Sequence, residues 1–166
     1  MTDTQPGTEQ EYADLLGEFE TALLVTRGPD GHFHARPMAT QQKSRRDGIW
    51  FATYGSSDKC REIAADPQVA IAYHEGKRDA TYLSISGRAE IVRDRDQIEE
   101  LWDPSWKPWF PDGPEEEDLV LIHVVPEHAE WVRPAGGRLK VWKTMAKRAL
   151  TGAREAPGQK KGVDLG

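Results

Sequence analysis

Between Thr21 and Arg93 the sequence repeats one device: a short apolar or alternating stretch followed by a cluster of turn residues. Thr21-Ala22-Leu23-Leu24-Val25-Thr26 is too short for a helix of its own, and Gly28-Pro29-Asp30-Gly31 behind it is a turn, so the pair predicts a strand entering a hairpin. The return strand alternates His32, His34 and Arg36 with Phe33 and Ala35, which puts the polar set on one face and the apolar set on the other. A polar, basic stretch at 41–47 is a second hairpin loop, leading into a strand over 49–54. Residues 68–74 form a strand with Val69, Ile71 and Tyr73 on one face. Residues 80–93 alternate for longer than usual, and Gly87 inside them marks a bulge or bend.

Helical signals sit around this sheet. Tyr12, Leu15, Leu16 and Phe19 recur at spacings of three and four behind Thr8, a capping residue, so 8–20 reads as one amphipathic helix. A short helix over 59–65 stops at Asp66-Pro67, because the residue before a proline resists the helical region. Residues 94–101 are helical, and the Trp- and Pro-rich stretch 102–111 is a packed loop or lid. The acidic run 115–118 reads as a solvated connection rather than a metal site. Two further strands, 119–125 and 127–132, are separated at Pro126, and a last helix spans 141–150 with Trp142 and Met145 on one side. The expected fold is mainly β: an antiparallel Greek-key barrel of six to seven strands with attached helices, occupying 8–151. Residues 1–7 are expected to be flexible, and 152–166 a disordered basic tail.

At 166 residues with 37% apolar content, the chain suffices for one domain with a real core. Cys60 is its only cysteine, so no intrachain disulfide can form, and no apolar stretch nears the roughly 18–20 residues of a membrane span. With no N-terminal run resembling a signal peptide, a soluble cytoplasmic protein is the expectation. The net charge of −6 argues against nucleic acid, whose binding relies on neutralising phosphates. The charge is unevenly spread, since eight of the 22 cations but only two of the 28 acids follow residue 137.

One stretch concentrates chemistry. Arg36 precedes a strand proline, Thr53 closes the next strand, and Ser56-Ser57-Asp58-Lys59 opens a helix. A helix N-terminus offers N–H donors and a positive dipole end, hydroxyls and an ammonium add to it, and a guanidinium supplies a bidentate fork. Together these residues suit a phosphate, held in a nucleotide, a cofactor or free. The bland reading is a helix cap beside a surface ion pair, but a cap does not call for Lys in the first turn, where the dipole disfavours a cation. Met38 and Trp50 suit a core, Cys60 a small buried hydrophobe, and His32 and His34 a solvated strand end. No Ser-His-Asp or Cys-His arrangement is present.

The succession Leu-Leu-Val-Thr, Arg36-Pro37-Met38, Ile49-Trp50-Phe51-Ala52-Thr53, Lys59, Asp66-Pro67-Gln68-Val69-Ala70 and Gly87-Arg88-Ala89-Glu90 resembles the pyridoxamine-phosphate-oxidase-like flavin-binding split barrels, and within them the general stress protein branch. The resemblance implies a homodimer with one FMN, or in some members FAD, in each of two interface clefts. It implies that Arg36 and Lys59 hold the flavin phosphate, that Ser56 and Ser57 add donors, that Met38 and Thr53 line the ring and ribityl chain, and that Trp142 reaches the partner's flavin. A flavin-dependent oxidoreductase and a non-catalytic flavin carrier both fit this pattern. Related barrels bind deazaflavin or haem instead, and the aromatic stretch 102–110 would cover any such ring.

Overall fold

The computed structural model describes residues 4–40, 47–75, 81–133 and 159–166. After a two-residue strand β1 (Gln5–Pro6), helix α1 (Glu9–Leu16) starts at a capping box, in which Thr8 accepts from the Glu11 N–H while the Glu11 carboxylate accepts from the Thr8 N–H. The first hairpin follows, with Gly31 at its turn taking φ +83, a left-handed conformation that glycine reaches without strain. It joins β2 (Thr21–Arg27) to β3 (Phe33–Ala39) with Leu24 opposite Arg36.

The remaining elements are β4 (Ile49–Tyr54), α2 (Asp58–Ala65), β5 (Gln68–Glu75), β6 (Thr81–Val92), α3 (Arg95–Leu101), β7 (Leu119–Arg133) and β8 (Gln159–Asp164). The sheet runs β1-β8-β7-β6-β5-β2-β3, and β4 joins it on β7. All pairs are antiparallel except β1 with β8. The strands from β2 to β7 therefore form a barrel whose two ends are β3 and β4, and no ladder joins those two strands among the described residues. That gap is the split in the barrel.

Two cores result. The barrel interior packs Leu24, Phe51, Ile71, Tyr73, Leu83, Ile85 and Ile122 under Leu15, Leu16 and Phe19 from α1 and its exit. A second cluster puts Trp50, Leu119 and Leu121 beneath α3 and the aromatic stretch, with Ile98, Trp106 and Phe110 buried against them. Residues 102–111 are thus anchored by burial, as a packed loop.

Two expectations need correction. Pro126 does not divide two strands: the register with β6 shifts at Ser86/Gly87, leaving Glu127 as the extra residue, and β7 runs on through the bulge. A proline without an N–H is tolerated where the ladder is already interrupted. Gly87 is needed on the other side, since a Cβ there would lie 2.3 Å from the Val125 carbonyl oxygen. The second correction concerns the ends, expected to be flexible or disordered: Gln5–Pro6 and Gln159–Asp164 pair within the sheet, and Val163 and Leu165 pack on the main core. Backbone pairing with β7 and the Lys160–Glu130 and Lys161–Glu11 ion pairs replace the apolar periodicity that this segment lacks.

The two faces of β3 are divided as the alternation predicts, and the polar one is the inner one. His34 and Arg36 turn to Glu62 on α2 and Met38 is buried at the split, whereas Phe33 is 73% exposed and Ala35 and Pro37 are exposed with it. The helix expected at 141–150 lies outside the described residues.

Candidate functional site

At the split, a cavity of about 720 Å³ opens between the facing edges of β3 and β4. Pro37, Met38, Ala39 and Thr40 form one wall, Ala52, Thr53 and Tyr54 the other. Trp106, Trp109 and Phe110 close it from the aromatic loop, while Lys59 and Glu20 also line it. The volume falls within the roughly 300–1,000 Å³ usual for small-molecule pockets, and much of the lining is apolar or aromatic.

Among the described residues, Lys59 is the cation that lines this cleft. Its position in the first turn of α2 directs it back to β4, where its Nζ donates to the Thr53 Oγ1 at 2.9 Å. Among the described residues no carboxylate pairs with it. Burial, and behind it the Arg36 charge, lower its pKa from the ordinary value, against an opposite pull from Cys60, Asp58 and Glu62. Among the described residues this partly desolvated ammonium bonds to a hydroxyl and has no carboxylate in direct contact, and an anion in the cleft would supply a counter-charge.

Arg36 is spoken for from behind. Its guanidinium donates to the Glu62 carboxylate at 2.8 Å and to the Thr26 hydroxyl, and the Thr26 hydroxyl donates to Glu62 in turn. The His34 Nδ1 completes the set, 2.5 Å from the other Glu62 oxygen. Burial pushes the Glu62 carboxyl up, but the bonds from Thr26, His34 and Arg36 outweigh it and bring it down to about 2. So a buried carboxylate on α2 fixes the two polar residues of β3, with Lys59 one turn earlier on the same helix.

Of the residues singled out in the sequence, Met38, Thr53 and Lys59 meet on the cleft wall, and Arg36 adjoins it within reach of Lys59's field. Ser56 and Ser57 are not among the lining residues. Ser56 gives its hydroxyl to Asp118 at 2.6 Å and its N–H to the same carboxylate, while Ser57 is the N-cap of α2 without a side-chain capping bond. Cys60 is buried, its thiol directed at the Tyr54 carbonyl. Trp142 lies outside the described residues. Sequence reasoning missed Glu62 and Thr26, and it left His34 at a solvated edge. The only hint was a shared polarity: Thr26 lies opposite His34 and diagonal to Arg36 in the hairpin, and Glu62 falls three residues after Lys59, on the neighbouring helical position.

Known proteins resemble this chain in sequence and fold. A family model described as pyridoxamine 5'-phosphate oxidase like matches residues 7–156. Protein bli-3 of Neurospora crassa is 29% identical over 135 residues, covering 74% of this chain, and the chain spans only 64% of that relative's length. A provisional general stress protein 26 of Jannaschia sp. CCS1 superposes with a TM-score of 0.70 at 24% identity, over 94% of this chain and 97% of its own. A Clostridium acetobutylicum protein related to general stress protein 26, of the pyridoxinephosphate oxidase family, gives a TM-score of 0.67 at 18% identity, over 77% and 89%. Both likenesses are of fold.

Proposed function

This chain belongs to the pyridoxamine 5'-phosphate oxidase-like family, and from that membership and the cleft we propose that it binds FMN at the split between β3 and β4 and serves redox chemistry. The observation that carries the reading is Lys59: a half-buried ammonium whose hydrogen bond among the described residues is to Thr53, in an aromatic-walled cleft. A phosphate gives that charge its partner, and Met38, Tyr54 and the aromatic loop offer a planar ring its apolar walls. Arg36 adds positive field from the adjoining wall; two of its five N–H donors are engaged by Thr26 and Glu62. FAD carries the same phosphate and fits the same reading.

When bound, the flavin supplies the electron or hydride chemistry, and the polypeptide supplies position, field and exclusion of water. The fit of the donor set rests on its own chemistry: one hydroxyl, one ammonium and one guanidinium suit an anionic oxygen, and among the described residues no group of three His, Cys, Asp or Glu could hold a metal ion.

The outer face of the barrel supports a homodimer. Leu23, Val25, Ala35, Pro37, Ala70 and Ala72 lie side by side on β2, β3 and β5, flanked by Phe33 and by the stacked His74 and Tyr82. Leu23, Phe33 and Tyr82 are 47%, 73% and 50% exposed. A contiguous apolar sheet face of this kind is unusual on a monomer and suits a second copy of the chain beside the cleft.

The visible spectrum of the purified protein tests the proposal, followed by FMN titration of wild type, Lys59→Ala and Arg36→Ala. Flavin bands, with binding lost in Lys59→Ala, are expected; equal FMN affinity in all three proteins would refute it. Reduction of the bound flavin by NAD(P)H and reoxidation by an acceptor separates an oxidoreductase from a carrier.

A further inference from the structure

Trp109 stands out among the aromatic residues of the cleft. Its neighbours in the loop, Trp106 and Phe110, are buried at 4% and 5%, whereas Trp109 itself is 65% exposed while still lining the cavity. An indole that lines the cavity and is not packed into the core keeps apolar ring surface available to a ligand there.

The backbone that carries it is held on three sides. The Trp109 and Phe110 N–H groups both donate to the Trp106 carbonyl, at 2.9 and 3.0 Å, closing a single tight turn. From the opposite wall the Tyr54 hydroxyl donates to the Trp109 carbonyl at 2.5 Å. The Tyr54 ring meanwhile packs on Phe110 with centroids 4.9 Å apart. Tyr54 ends β4, one residue after Thr53, the partner of Lys59. A single strand end thus sets both the cation of the cleft and the backbone of the exposed indole.

We propose that Trp109 is the ring-recognition residue of the cleft, its indole laid against the planar ring of the ligand while Lys59 holds the ligand's anionic end. The assignment rests on the flavin reading and deepens it by dividing recognition between two residues. Lys59 reads the phosphate and Trp109 reads the ring. Pinning the loop beforehand through Tyr54 means that little loop ordering accompanies binding, which favours affinity.

Riboflavin, which has the ring without the phosphate, separates the two roles. Wild type, Trp109→Ala, Trp109→Phe and Lys59→Ala are titrated with FMN and with riboflavin, following flavin fluorescence and the quenching of indole emission. Trp109→Ala should weaken both ligands by a similar factor, roughly 3- to 10-fold for one lost aromatic stack, with Trp109→Phe in between. Lys59→Ala should weaken FMN and leave riboflavin unchanged. Thermal melts and gel filtration accompany each variant.

Unchanged affinity for both ligands in Trp109→Ala overturns the assignment, as does a loss confined to FMN. A Trp109→Ala protein that changes its oligomeric state and binds normally per site makes Trp109 an interface residue, which also overturns it. If wild type binds neither ligand, the flavin reading fails and takes this inference with it.

Discussion

The Arg36 guanidinium meets the Glu62 carboxylate at 2.8 Å, joining the inner face of β3 to α2 behind the cleft. Glu62 is almost fully buried and Arg36 largely so, with side-chain exposures of 5% and 20%. A pair this secluded is weak evidence for net stability, yet removing one member leaves the other charged, buried and unpaired.

Glu62→Gln should therefore lower stability by about 2–3 kcal/mol at neutral pH, less than full truncation because the amide still accepts hydrogen bonds. The pH dependence follows from the lowered carboxyl, at about 2 against an ordinary 4.5. Between those values the unfolded chain binds the proton and the folded one does not, so the contribution is complete above the unfolded value and is lost as the pH falls toward 2. Urea midpoints at pH 7, 4 and 3 should converge between wild type and Glu62→Gln; a constant gap would show that Glu62 is not the ionised partner of Arg36.

Lys59→Met should act in opposite directions on stability and binding. Without ligand, replacing a half-buried ammonium by an apolar chain of similar length removes a desolvation cost, for a gain of about 1 kcal/mol. FMN binding should weaken about 10-fold or more, as a charge-assisted contact is lost. A variant that is less stable and binds FMN normally would assign Lys59 to the scaffold.

Leu23→Glu places a carboxylate in the middle of the outer apolar face, opposite Pro37 and Ala72. The side chain is already half exposed, so the monomer should fold with a melting point near that of wild type. Gel filtration and light scattering should show a dimer for wild type and a monomer for the variant. A dimer unaffected by the charge would move the interface elsewhere.

Removing 159–166 strips β7 of its partner along His128–Arg133 and takes away Val163, Leu165 and the Lys160–Glu130 and Lys161–Glu11 pairs. A loss of about 2 kcal/mol or more in the denaturant midpoint is expected, most of it from apolar burial. A truncated chain as stable as the full one would restore the segment to the status of a tail.

The strands with local signals were legible. Val69, Ile71 and Tyr73 alternate and are buried together; Thr8, Asp66-Pro67 and Gly87 mark the cap, the stop and the bulge they were read as. Each of those features is settled within a few residues of itself, by turn geometry or by the period of the side chains. β8 was illegible for the converse reason, as Gln159–Asp164 has little apolar pattern and owes its order to a ready edge on β7.

The candidate site divides in the same way. Order along the chain determined that an arginine, a threonine and a lysine fall on three successive elements, and hence that an anion was the ligand to expect. Only the tertiary structure decided that Lys59 faces the cleft with Thr53 while Arg36 turns to Glu62, because that choice depends on which carboxylate α2 delivers beneath β3, 26 residues away along the chain. Charge pairing across such a separation is set by packing, and no local pattern of residues encodes it.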